Sequence, residues 1–395
     1  MIRSLTVDGY KGLVGTSIGF NLEGPTVLLG PNGSGKTTII EAIDGLWSVA
    51  SRQLKKTRFA SSRTGEVTYR GEDRHVSFSA ELSSDGKASG AAIRLTWGIE
   101  LHLGDVHAES IRGKGGLFDG EILRPRGGQA GESAPFGAAE WRSPAQRPAW
   151  LDDALAVHQA IGPVRIARFL PRRIAESCSP TATVDPDGFG LPSALLLLLT
   201  SDRRQFVAVE QRFRKLFPWV DEILPEPGVD AQGHTVVNLT FRERGSRHPF
   251  AAEHVSSGML LALALLWVTM RSEPDRILCF EEPENSLHPY LLGEAYELLG
   301  QAARGELAAE AGPATTRAGV QVVVATHSVD FVNLCKPEEV RVCERDAEGV
   351  VKVSAVVDQA GLADALKNYQ GALGELWYSG ALGGIPKNRP AAGSR

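Results

Sequence analysis

The sequence predicts an α/β fold built on a mostly parallel sheet, and three observations carry that prediction. Residues 26–50 read as an apolar strand, a glycine-rich loop and a helix. Residues 258–328 alternate helix, strand, helix and strand, and the strand "ILCF" (277–280) runs directly into Glu281 and Glu282. Between these blocks, residues 51–165 hold short alternating segments that read as a β-rich insertion.

Composition sets the outer bounds. The chain has 395 residues, 43% of them hydrophobic and 23% charged, enough for a sizeable core in one elaborate domain or two modest ones. Its net charge of −5 excludes a uniformly basic nucleic-acid coat. The charge is uneven, about +4 over residues 1–220 and about −9 over 221–395, with basic clusters at 52–58, 169–173 and 212–217. Those clusters read first as solvated faces and second as phosphate tracks. Four cysteines show neither disulfide density nor zinc spacing, so a reduced, cytoplasmic protein is expected. The apolar runs "LPSALLLLLT" and "MLLALALLWVTM" fall short of a bilayer span and read as buried helices.

In chain order, "SLTVDGY" and "TVLLG" read as strands, and "KTTIIEAIDGLWSVA" as a helix with Ile39, Ile40, Ile43, Leu46 and Trp47 on one side. "EVTYRG", "HVSFSAEL" and "AIRLTWGIELHL" read as strands of the insertion, and the Gly-, Pro- and Arg-rich residues 112–148 as loop. Residues 190–217 read as helical and 235–241 as a strand, which makes 166–249 a helical lid. The helix 258–270, strand 277–280, helix 289–304 and strand 320–328 complete the second block. Core lobes are thus expected at 1–50 and 250–345, with 346–395 a C-terminal strand and tail. "DPD" (185–187) reads as a Pro-containing turn before it reads as a metal-binding acidic pair. The tail aromatics Trp377 and Tyr378 have two readings, docking on this chain's own core or on a partner.

"LLGPNGSGKTTII" contains GxxxxGK[ST] as Gly30, Gly35, Lys36 and Thr37, between an apolar strand and a helix, which marks a P-loop NTPase. Glycines let successive backbone N–H groups turn inward onto a phosphate, and the helix start adds its positive dipole end. Pro31, Asn32, Gly33 and Ser34 fill this loop and Thr38 follows it, so residues 30–38 are the expected nucleotide cradle. Lys36 is expected to reach the β- and γ-phosphates and Thr37 to ligate Mg²⁺.

A P-loop needs a second metal contact, commonly a carboxylate ending a neighbouring buried strand. Glu281 is assigned to Mg²⁺ and Glu282 to polarising the attacking water, the metal offsetting the repulsion of adjacent like charges. "EHVSSGMLLALALL" sets Ser256 and Gly258 at the start of an apolar helix, able to offer N–H and hydroxyl donors to an anion, or merely to cap. His327, at the end of "VVVATHS", stands where a side chain can reach a γ-phosphate.

These motifs, in this order, resemble the ABC-type ATPases of the RecF/SMC/OLD branch, over roughly residues 1–50 and 250–345. In that resemblance "VSSGM" matches the signature loop through Ser256 and Gly258, "SLHP" follows the glutamates as the D-loop does, and His327 matches the switch histidine. Glu281 replaces the aspartate typical of transporter cassettes, which fits the small "EEPE" ATPases of the OLD-like branch. No glutamine stands in a decisive position for the Q-loop, and no coiled-coil arm or room for a TOPRIM nuclease is seen.

The resemblance implies an Mg²⁺-dependent ATPase whose ATP is sandwiched head to tail between two subunits, with Ser256 and Gly258 capping the nucleotide of the other copy. Expected partners are a second copy or a higher homo-oligomer, a separately encoded nuclease or toxin effector, and DNA, with no membrane. The leading expectation is a switch regulating a DNA-directed or nuclease effector in bacterial defence or DNA maintenance. The alternative is a slowly hydrolysing ATP-bound scaffold that sequesters a toxin or effector. A transporter subunit and an AAA+ motor fit the signature and Thr-His-Ser motifs less well.

Overall fold

The computed structural model describes residues 1–50, 68–71, 75–83, 92–102, 105–114, 120–125, 161–271, 277–307, 320–359, 361–369 and 372–383. The chain divides into two compact units, residues 1–164 with 325–395, and residues 165–324.

The first unit opens with β1 (Ile2–Asp8) and β2 (Thr16–Gly19), followed by β3 (Thr26–Leu29) and α1 (Lys36–Ala50). In β1, Ile2, Leu5 and Val7 enter the core, whereas all four residues of β3 are buried. Along α1, Ile39, Ile40, Ile43 and Leu46 are buried at helical spacing. The insertion contributes β4 (His75–Ser83), β5 (Ala92–His102), β6 (Asp105–Lys114) and β7 (Gly120–Pro125). With β1 and β2 these form an antiparallel sheet in the order β2-β1-β4-β5-β6-β7, so the β-rich insertion extends the N-terminal strands.

Two details of the insertion differ from expectation. Tyr69–Gly71, expected within a strand, forms a 3-10 turn in which Arg70 takes a left-handed φ of 54°. Within the expected loop 112–148, Gly120–Pro125 pairs with β6, cross-strand hydrogen bonds outweighing the turn preference of its flanking glycines. Residues 126–148, and the basic cluster 52–58, lie outside the described residues.

The second unit holds most of β8 (Val164–Ala167), then α2 (Pro171–Ala175), α3 (Leu191–Ser201), α4 (Arg203–Leu216), β9 (Val220–Val229), β10 (Thr235–Glu243) and β11 (Phe250–Ala251). The helical stretch 190–217 is broken at Asp202, whose carboxylate accepts from Gln205 N–H (3.1 Å) and starts α4. Helix α3, read from its sequence as a buried helix, buries Leu191, Ser193 and Leu195 but leaves Leu197 exposed. α5 (Ser257–Thr269) is buried on all sides, as its sequence predicts. β12 (Ile277–Glu281) lies between β8 and β13 (Gln321–Thr326), with α6 (Pro289–Arg304) between β12 and β13 in the chain.

The chain then returns to the first unit with α7 (Val329–Asn333), β14 (Val340–Arg345), β15 (Val351–Ala355), α8 (Leu362–Asn368) and α9 (Leu373–Tyr378). β14 runs parallel to β3 and antiparallel to β15. The tail docks on its own unit: α9 packs on α7, Gly374 N–H donates to Asn333 Oδ1 (2.8 Å), and Trp377 is buried while Tyr378 stays exposed. Among the described residues no helix is long and apolar enough to cross a membrane.

Candidate functional site

The phosphate loop joins β3 to α1 under two close approaches. A side chain at Gly30 would bring its Cβ within 2.5 Å of the Cys343 carbonyl oxygen of β14 and 2.6 Å of Ser34 Oγ, so only glycine fits. Gly35 has a left-handed φ of 104°, and a Cβ there would meet Val351 Cγ2 of β15 at 2.5 Å. The hairpin β14–β15 therefore fixes the shape of the loop from behind.

Lys36 is 7% exposed, and its ammonium donates to the carbonyls of Gly30 (2.6 Å) and Pro31 (3.0 Å). It is thereby held across the loop. The Ser34 hydroxyl is buried with no hydrogen-bond partner, an unmet polar group inside this loop. Thr37 and Asn32 are exposed and Thr38 is half-buried. A glycine cradle, a sequestered cation and an orphan hydroxyl at a helix start fit a polyphosphate. Full burial pushes the Cys343 thiol up to about 12, against the opposing pull of the Lys36 charge.

His327 belongs to the same unit. It is exposed, between Thr326, whose hydroxyl accepts from Ser328 N–H (2.9 Å), and Ser328, which caps α7 by accepting from Phe331 N–H (3.2 Å).

Ser256, Gly258, Glu281 and Glu282 belong to the second unit. Ser256 is exposed and is the N-cap of α5, its hydroxyl accepting from Met259 N–H (3.3 Å). Gly258 is buried, and a Cβ on it would stand 3.5 Å from the Ser286 carbonyl and 3.4 Å from Leu291, which places the α5 start beside the "SLHP" turn. Glu282 has a φ of 49°, a left-handed conformation costing about 1–2 kcal/mol for a non-glycine residue. The turn that holds it is closed by Asn285, whose N–H donates to the Glu282 carbonyl (3.0 Å) and whose side-chain amide donates to Glu282 Oε2 (2.7 Å). Ser286 repeats the left-handed turn with a φ of 68°.

The sequence reading missed the partner of Glu281. Arg168, the residue after β8, places Nη2 2.6 Å from Glu281 Oε1. Its backbone is pinned by the "DPD" turn: Arg168 N–H donates to the Pro186 carbonyl (2.7 Å) and Leu170 N–H to the Asp187 carbonyl (2.9 Å). The Asp187 carboxylate accepts from Arg173 Nε (2.9 Å) and Phe189 N–H (3.0 Å). Partial burial works to raise its pKa, but these bonds outweigh it and hold the carboxyl below its ordinary range. The acidic pair of "DPD" is thus a structural turn. Among the described residues no cluster of three or more His, Cys, Asp or Glu side chains could hold a metal alone, so any metal at Glu281 would take its remaining ligands from hydroxyl, phosphate or water oxygens.

Two family models match the chain. One, described as "AAA domain, putative AbiEii toxin, Type IV TA system", covers residues 181–333, which include Ser256, Gly258, Glu281, Glu282 and His327. Another, described as "AAA domain", covers residues 4–115, which include the phosphate loop. The Septu protein PtuA of Bacillus thuringiensis is 43% identical over 70 residues, 18% of this chain, and the match spans only 17% of that protein. The crystal structure of the SmcHead bound to the C-winged helix domain of ScpA superposes with a TM-score of 0.52 at 15% identity, covering 89% of this chain and 97% of that one. This likeness shows the fold, a mixed α/β head with a mostly parallel central sheet.

Proposed function

We propose, on the premise that this chain is an ABC-type ATPase of the RecF/SMC/OLD-like group, that it binds and hydrolyses ATP as a dimerising switch. The observation that carries this reading is the preformed phosphate loop, with Gly30 and Gly35 packed against β14 and β15, Lys36 buried across it and the Ser34 hydroxyl unpartnered. The backbone N–H groups of residues 30–38, Pro31 excepted, and the Lys36 ammonium hold the phosphates. Thr37 and Glu281 hold Mg²⁺, which when bound neutralises charge developing on the phosphoryl oxygens. Glu282, oriented by the Asn285 amide, polarises the attacking water. His327 reaches the γ-phosphate, and Ser256 and Gly258 cap the nucleotide held by a second copy. Both residues stand at a helix start, where N–H groups face an anion favourably.

The short PtuA match and the AbiEii-type description support a role in bacterial defence, with a separately encoded nuclease or toxin effector, or DNA, as the object of the switch. The core lobes of this head are residues 1–50 and 250–345, with 51–165 as the insertion and 166–249 as the lid.

The test is light scattering with phosphate release, on the wild type and Glu282→Gln, with and without Mg-ATP. Mass doubling in the variant only with ATP, and turnover in the wild type that Lys36→Ala abolishes, is the expected result. Turnover that survives Ser256→Arg in a folded protein overturns the sandwich. ATP binding and dimerisation with negligible phosphate release would identify the slowly hydrolysing scaffold instead.

A further inference from the structure

Glu281 is already occupied by a cation that belongs to the protein. Arg168 faces it at 2.6 Å across adjacent strand ends, and the arginine is held there by backbone bonds to Pro186 and, through Leu170, to Asp187. Its guanidinium is only partly used: the Nε–H is buried and has no acceptor. Arg173 differs, its Nε donating to Asp187 and its Nη1 meeting Glu176. Arg168 is thus a pinned cation with a spare donor, set on the carboxylate assigned above to the metal.

A guanidinium and a divalent cation cannot share one carboxylate without strong repulsion, since both are positive and separated by a few ångströms of partly buried space. The guanidinium leaves such a carboxylate readily only if another oxyanion receives its donors, and a planar fork with a vacant N–H is suited to a phosphate. We infer that Arg168 is a positioning residue that bars Glu281 to free divalent cations and yields it when a phosphate-bearing nucleotide arrives. Metal entry is then conditional on nucleotide, and the resting protein is insensitive to the ambient Mg²⁺ concentration. The inference rests on the assignment of Glu281 to the metal.

The test is a Mn²⁺ titration followed by electron paramagnetic resonance, on the full chain, with and without a non-hydrolysable ATP analogue. The set is wild type, Arg168→Ala, Arg168→Lys and Glu281→Gln, each checked for folding by circular dichroism. Without nucleotide, Arg168→Ala is expected to take up Mn²⁺ at least tenfold more tightly than the wild type, while Arg168→Lys stays near the wild type because its charge still blocks the carboxylate. With the analogue, the gap between wild type and Arg168→Ala is expected to narrow. Equal nucleotide-free Mn²⁺ affinity in wild type and Arg168→Ala, with Glu281→Gln losing Mn²⁺ in the presence of analogue, overturns the conditional-entry idea and leaves the metal assignment standing. Undiminished Mn²⁺ binding by Glu281→Gln with analogue overturns the metal assignment itself, and the inference with it.

Discussion

Replacing Gly35 by alanine separates two costs that the structure assigns to one position. The backbone φ of 104° is strained for any L side chain, by about 1–3 kcal/mol. The new Cβ would also lie 2.5 Å and 2.9 Å from the two methyls of Val351, about 1 Å inside the ~3.5–4.0 Å carbon contact distance. Overpacking of that kind costs about 1–3 kcal/mol, so the total is about 2–6 kcal/mol. Gly349, in the turn of the same hairpin, is the control: its φ is 85°, yet nothing lies within 4 Å of a Cβ placed there. Gly349→Ala should therefore show only the backbone part. Urea denaturation followed by nucleotide-analogue binding on the same samples reads both stability and loop shape. Gly35→Ala should exceed Gly349→Ala by at least ~1 kcal/mol and weaken analogue binding more than tenfold. Adding Val351→Ala should recover part of both, as a coupling of about 1–3 kcal/mol in the double-mutant cycle. Equal costs for the two glycines, or additivity within ~0.5 kcal/mol, would refute the claim that β15 shapes the phosphate loop.

Three further outcomes are expected. With its pKa pushed to about 12 by burial, the Cys343 thiol should resist a disulfide reagent at pH 8 until the chain unfolds; labelling of the folded protein within minutes would contradict its enclosure. Because the folded Asp187 carboxyl titrates below its ordinary value of 3.8, its stabilisation is present above that pH and is lost as pH falls through the lower folded value. Asp187→Asn should thus lower the melting temperature at neutral pH and converge with the wild type in acid, and a gap that persists unchanged in acid would rule out this origin. The buried Arg341 guanidinium donates to the carbonyls of Gly19 (2.7 Å), Glu338 (2.8 Å) and Val340 (3.1 Å). Arg341→Met should cost about 1–3 kcal/mol in denaturation, chiefly because the buried Val340 carbonyl loses a donor while those of the exposed Gly19 and Glu338 can turn to water, and a loss under ~0.5 kcal/mol would show that all three re-pair.

Signals carried by neighbouring residues were readable from the chain alone. The phosphate loop is one contiguous pattern, α5 is apolar around its whole circumference behind a Ser cap, and "ILCF" is a continuous buried strand. Strand β9, which the sequence reading does not assign, carries Pro225 and Pro227; it tolerates them at the sheet edge, where they oppose Leu239 and Val237 of β10. The contacts of Arg168 with Glu281 and of Val351 with Gly35 join residues far apart in sequence. No local periodicity encodes such pairs, since they depend on which strand ends the topology makes neighbours.

The pairing of β3 with β14 also has a consequence for biosynthesis. Val27 stands opposite Val340, so the strand that leads into the phosphate loop acquires this parallel neighbour only 313 residues later. At ~5–20 residues per second the ribosome needs about 15–60 s to supply it. Residues 165–324 form a contiguous unit and can condense while the chain is still being made. The nucleotide cradle cannot be completed until β14 and β15 emerge, because the groups that shape it belong to Cys343 and Val351. A nascent chain therefore lacks the complete cradle for nearly its whole synthesis, and on the proposed function nucleotide-driven pairing with another copy would begin only with molecules whose hairpin has been made.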